Sequence, residues 1–183
     1  MPRVHLVKKS RKDYPGIPKG STYYWWKFRY GGMHRSLIRP RQSQLTQSSH
    51  LSEAYSIQED LEALIIQDIK EGIDLQEYAD RIRELGQNAE DSLYNMPDGL
   101  QQGDVGQMLE QRTSDMEDWA NELEGVDTEI DEDQIHEDAR KDAGSEFNLG
   151  GVSSKELFEE MVETRTQEIL EEIQDISANA CIE

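Results

Sequence analysis

Only one cysteine, Cys181, occurs in the 183 residues. A lone thiol can form neither an intrachain disulfide nor a cysteine zinc cage, so no covalent or metal staple holds a small domain together here. It reads as a free thiol in a reducing compartment. The apolar stretches are short as well. The longest, Ala63-Leu-Ile-Ile66, falls far below the roughly 20 residues that cross a bilayer, and no signal-peptide core follows the basic start. The expectation is a cytoplasmic protein that does not enter a membrane. There is no phosphate-cradling glycine loop, nucleophile elbow or metal-ligand cluster, and carboxylates are too abundant for any acidic pair to be informative. His5, His34, His50 and His136 are scattered, none at helical ligand spacing to another, so each reads as a packed or surface histidine. The sequence therefore predicts a non-enzymatic chain without metal or cofactor.

What is present is charge, unevenly placed. The net charge is −20, with 35% of residues hydrophobic and 32% charged, which suits several amphipathic helices better than one large core. Residues 1–50 hold eleven Lys/Arg and one acid, Asp13, a balance of +10; residues 51–183 hold 8 basic and 38 acidic residues, a balance of −30. Such segregation implies two surfaces with different partners, or surfaces that satisfy each other within or between chains.

Six of the thirteen aromatic residues fall within Tyr23–Tyr30, in the stretch TYYWWKFRYGG. In a strand, Tyr24, Trp26, Phe28 and Tyr30 share one face, while Tyr23, Trp25, Lys27 and Arg29 share the other. Gly31-Gly32 is a two-residue turn signal. It predicts a returning strand over about Met33–Ile38, with Met33 opposite Tyr30, Arg35 opposite Phe28 and Leu37 opposite Trp26. On the second face His34 would join Tyr23, Trp25, Lys27 and Arg29. With Arg35, Arg39 and Arg41 nearby, these residues form a candidate surface on which bases stack and phosphates are neutralised. The alternative is that the rings fill a small core and the cations pair with acidic helices. Val4–Val7 reads as a further short strand, and Tyr14–Gly20 as a loop dense in turn residues.

The run GIPKGSTYYWWKFRYGG (16–32), followed by RPRQSQLTQS (39–48), resembles the N-terminal module of uncharacterised tailed-bacteriophage proteins, in which a small zinc-ribbon-like hairpin precedes acidic helices. The resemblance covers about residues 4–50. It implies a phage origin, and with it a host or phage protein as partner. The sequence departs from that pattern at residues 13–17, where a Cys-x-x-Cys knuckle is expected, and no cysteine follows until Cys181. A ribbon built this way must replace the metal with its aromatic core or with docking.

Beyond residue 50 the period changes to that of helices. A first helix is expected from Leu51 to near Gly72, on Leu51, Tyr55, Leu61, Leu64, Ile65 and Ile69. A second spans about Asp74–Asn95, on Leu75, Tyr78, Ile82, Leu85, Ala89 and Leu93. A third spans about Asp104–Glu124, on Val105, Met108, Leu109, Met116, Trp119 and Leu123. Residues 125–152 carry nine acids and two bases and read as an acidic linker. A final helix starts at Ser153 or Ser154, where Ser153-x-x-Glu156 has capping-box form, and like-charged pairs such as Glu168/Glu172 make its polar face repel itself. The fold expected is mainly α with a small N-terminal β-hairpin module (1–50), a three-helix acidic region (51–124), a linker (125–152) and a C-terminal helix (153–183), as an antiparallel bundle or an elongated array. Two functions fit. One is an adaptor whose basic module grips nucleic acid or a protein while the helices assemble with themselves or recruit a partner. The other is an acidic DNA mimic that occupies a host nucleic-acid enzyme.

Overall fold

The computed structural model describes residues 1–146 and 154–182. The chain is mainly helical with a small three-stranded antiparallel sheet at its N-terminus: β1 (His5–Val7), β2 (Tyr23–Lys27) and β3 (Met33–Ser36), in the order β1-β2-β3. A 3-10 turn at Gln42–Leu45 leads into the helices, α1 (Ser49–Glu62), α2 (Ile66–Lys70), α3 (Leu75–Tyr94), α4 (Asp98–Gln101), α5 (Asp104–Glu124), α6 (Glu132–Glu146) and α7 (Ser154–Asn179). Two compact units divide within α1, one comprising residues 1–59 with Ile182 and the other residues 60–181.

In the N-terminal unit, β1 pairs with β2 through His5 opposite Trp25, and β2 pairs with β3 through Lys27 opposite Met33 and Trp26 opposite His34. This corrects the expected hairpin. The connection is the five-residue loop 28–32, and neither Gly31 nor Gly32 adopts the positive φ of a primed two-residue turn. The register is displaced by three residues, and because strand side chains alternate, an odd displacement exchanges the faces of β3. Ring contacts account for the choice: the displaced register lets His34 stack on Trp26 at 5.5 Å, with the Phe28 ring edge-on to His34 at 5.4 Å. The long β1–β2 connection is held by its own polar groups. The Ser10 N–H donates to the Ser21 carbonyl (2.8 Å), Tyr14 and Ile17 exchange backbone bonds of 3.0 and 2.9 Å, and the Asp13 carboxylate accepts from the Lys19 N–H at 2.7 Å.

The helical unit is organised by the antiparallel pair α3 and α5. Asp74 caps α3 by accepting from the Gln76 N–H at 3.0 Å. Ala79, Ile82, Leu85 and Ala89 of α3 are buried, as are Leu109, Met116, Trp119 and Leu123 of α5. Gly86 allows a close crossing, since a Cβ there would lie 3.3 Å from that of Met116. At the open end of the pair, Arg83 binds Glu124 in fork geometry, with one bond of 2.6 Å, and also donates to Asn121 at 3.0 Å; Gln76 donates to the same Glu124 carboxylate at 2.6 Å. The Arg83 and Gln76 bonds lower the Glu124 carboxyl from 4.5 to about 2. α5 also touches α7, which in turn contacts α2 and α6.

Two further expectations are corrected. The helix expected to run from Leu51 to near Gly72 breaks after Glu62. The Asp68 carboxylate accepts the Ile65 N–H at 2.8 Å, Ile65 is extended and 58% exposed, and α2 ends at Lys70, just before Gly72, whose φ of 83° suits glycine. The segment expected to be an acidic linker contains α6, whose first N–H groups are met by Asp131 accepting from the Gln134 N–H at 2.9 Å. Ser153 of the expected capping box lies outside the described residues.

Gly106 sits where any Cβ would overlap the Gln101 backbone, so Gly106→Ala forces α4 and α5 apart, and thermal unfolding should show a destabilisation of about 1–3 kcal/mol. Because the folded Glu124 carboxyl lies below its ordinary value, its contribution is complete above about pH 4.5 and is lost as pH falls toward about 2. Urea midpoints should therefore favour wild type over Glu124→Gln at neutral pH, and the gap should close in acid.

Candidate functional site

The sheet has a crowded ring system on both faces. On one, Trp25 stacks on His5 at 4.2 Å with planes 12° apart, and Tyr23 meets Tyr14 at 5.8 Å. The Arg35 guanidinium lies over the Tyr14 ring, 4.2 Å from its centre. On the other face Trp26, His34 and Phe28 form the cluster described above. Tyr23 and Trp26, on opposite faces of the same strand, are 8% and 5% exposed, so each face buries one ring. The buried Trp26 indole N–H has no acceptor among the described residues.

The residues singled out from the sequence are therefore divided by the fold. Tyr23 is core. Trp25 is half-buried beneath His5. His34 does not join Tyr23 and Trp25 but faces the opposite way, and Arg35 stands opposite Trp25 rather than Phe28. Lys27, Arg29, Arg35, Arg39 and Arg41 are exposed. Arg29 lies over the ring of Tyr30 at 5.2 Å, and Arg41 reaches Glu59 at 4.0 Å.

Sequence reasoning misses the exposed apolar groups beside these cations. Tyr30 is 82% exposed and Ile38 78%, with Leu6, Met33 and Leu37 about half exposed. A two-residue turn would keep Tyr30 in the strand and on its core face; in the five-residue loop it points to solvent. Lys27, Phe28 and Arg29 line a shallow concavity of about 590 Å³ with Leu45, Thr46 and Leu51. All eleven Lys/Arg of residues 1–50 are exposed, and within residues 1–59 Arg41 is the one that makes an ion pair among the described residues.

The helical unit presents the opposite sign. Glu122 of α5 and Glu168, Glu171, Glu172 and Asp175 of α7 line one concavity of about 570 Å³. Among the described residues, no three His, Cys, Asp or Glu side chains are arranged to hold a metal ion. No described helix is long and apolar enough to cross a membrane.

The division between core and surface rings is testable by substitution. Trp26→Ala should cost about 3–5 kcal/mol in denaturant unfolding, whereas Tyr30→Ala should stay within about 0.5 kcal/mol. Comparison with known proteins adds no relative to this picture: no protein-family model matches the chain, and neither a curated protein nor a solved structure matches it.

Proposed function

We propose that this is a non-enzymatic adaptor that binds nucleic acid through its N-terminal unit and recruits a protein through its acidic helices. The observation that carries the reading is the cationic surface of residues 1–50. Within its own unit, residues 1–59, eleven Lys/Arg stand against three acids, Asp13, Glu53 and Glu59, and ten of the eleven have no ion-pair partner there among the described residues. Unpaired exposed cations repel one another and are best satisfied by a polyanion, whose condensed counterions are released on binding. Tyr30, exposed next to Arg29, supplies a ring on which an unpaired base can stack.

Tyr23 and Trp26 are committed to the core, so the contact surface is smaller than the aromatic run suggests. It consists of Lys27, Arg29, Tyr30, Arg35 and Arg39, with Trp25 adding one half-buried edge. A DNA mimic is the second reading, favoured by the carboxylate-lined concavity between α5 and α7. It is the weaker one because mimicry gives the ten unpaired cations no role. In this proposal the protein works in the cytoplasm, and its recruited partner is a host or phage protein, as the resemblance of residues 16–32 implies.

The test is binding of the full chain to a labelled single-stranded oligonucleotide across a salt series. Affinity should fall steeply with salt, and Lys27→Ala/Arg29→Ala/Arg39→Ala should flatten the log–log slope by about 0.7 for each phosphate left without its cation, with the circular dichroism spectrum unchanged. No binding at low salt, or a triple variant with the wild-type slope, would overturn the proposal.

A further inference from the structure

A second surface, on the helical unit, has a different chemistry. α6 and α7 are held together in part by His136 against Phe158, with ring centres 5.3 Å apart. Alongside them the segment 127–131 completes a groove of about 630 Å³. Its floor is apolar: Ile135, Leu157 and Met161, all half-buried. Six carboxylates line it against one cation, Arg165, which is already 3.5 Å from Glu168. Asp131 is occupied in capping α6. Glu129 and Glu160 are exposed, and their carboxylates have neither an ion pair nor a hydrogen bond among the described residues.

This combination restricts what can sit in the groove. A nucleic acid or an anionic lipid surface is repelled by the rim. A metal ion would need converging carboxylates, and no such group exists among the described residues. An apolar ligand alone would cover the floor but leave the acidic rim facing itself. The complement is a segment that is apolar along one stripe and cationic along its flanks, the pattern of a basic amphipathic helix lying in a groove.

We propose that the α6–α7 groove docks a basic amphipathic helix of a partner protein, with its apolar stripe on Ile135, Leu157 and Met161 and its Lys/Arg side chains against Glu129 and Glu160. The proposal rests on the reading in which the acidic helices recruit a protein, and it gives that recruitment a place and a partner chemistry. The rim cations of such a helix govern encounter, and the buried apolar stripe governs residence.

The experiment uses the full chain and a labelled synthetic helix of Leu and Lys in amphipathic order, with a control peptide of the same composition scrambled to remove the stripe. Fluorescence anisotropy should show the ordered peptide bound and the scrambled one at least about tenfold weaker, because charge alone does not reward the stripe. Glu129→Lys/Glu160→Lys, both on exposed side chains, should weaken the ordered peptide by about tenfold or more. Met161→Lys should do the same through the floor. Lys27→Ala/Arg29→Ala/Arg39→Ala should leave peptide binding at the wild-type level, which separates failure here from failure of the nucleic-acid reading. Equal binding of the two peptides, or a rim variant that binds as wild type, overturns the proposal. So does concentration-dependent self-association abolished by Glu129→Lys/Glu160→Lys, which would assign the groove to a second copy of this chain.

Discussion

The helical unit depends on how closely α3 and α5 can approach. Residues 51–183 carry 38 acids against 8 bases, so almost any two surfaces in this region repel. What draws these two together is an apolar seam around Gly86 and Met116, with Trp119 and Leu123 at one end, fully out of water. The absent side chain at Gly86 brings the backbones near enough for the seam to close. Once it has closed, Arg83 can reach Glu124 and Asn121 and Gln76 can reach Glu124, so the polar clamp follows from the packing. α7, whose acidic polar face repels itself, is ordered by its contacts with α2, α5 and α6.

The N-terminal unit solves a different problem. With no intrachain disulfide to staple it and no metal-holding group of His, Cys, Asp or Glu among the described residues, a three-stranded sheet of short strands finds its core among its own rings, and it does so on both faces. That choice separates two groups of residues that the sequence runs together. The rings of Tyr23 and Trp26 stabilise the unit, while Lys27, Arg29, Arg35 and Arg39 stand on its surface without carboxylate partners among the described residues of the same unit. Within this unit it is the aromatics, and not salt bridges to these cations, that hold the fold.

Legibility in the sequence differs from element to element for physical reasons. α3 and α5 are readable nearly to the residue because each has an uninterrupted apolar stripe, and Asp74 and Gly125 sit at their ends as sequence-local signals. The break between α1 and α2 is not, because Leu64 and Ile65 continue the apolar period while the deciding event is one carboxylate, Asp68, capturing one N–H. α6 is hidden by composition: its acids suggest a linker, whereas the groups that order it, the buried Ala139 and the ring pair of His136 with Phe158, depend on α7, far along the chain. The β2–β3 register escapes a local reading for the same reason. Gly31-Gly32 signals a turn locally, but which turn forms is settled by His34 stacking on Trp26 across the strands. For the candidate surface, the cations are legible by residue type alone. The exposure of Tyr30 is not, since it depends on the loop length.

The three tryptophans are placed so that the two units can be observed separately. Trp25 and Trp26 lie in the sheet, and Trp119 is sealed within the α3–α5 seam at 2% exposure. Buried indoles emit at shorter wavelength than hydrated ones, so each unit carries an intrinsic optical reporter of its own integrity. In a chain with Trp119 replaced by phenylalanine, all indole emission comes from the sheet; with Trp25 and Trp26 replaced, all of it comes from the helices. The emission of each set then reports on the unit that carries it, without any attached label.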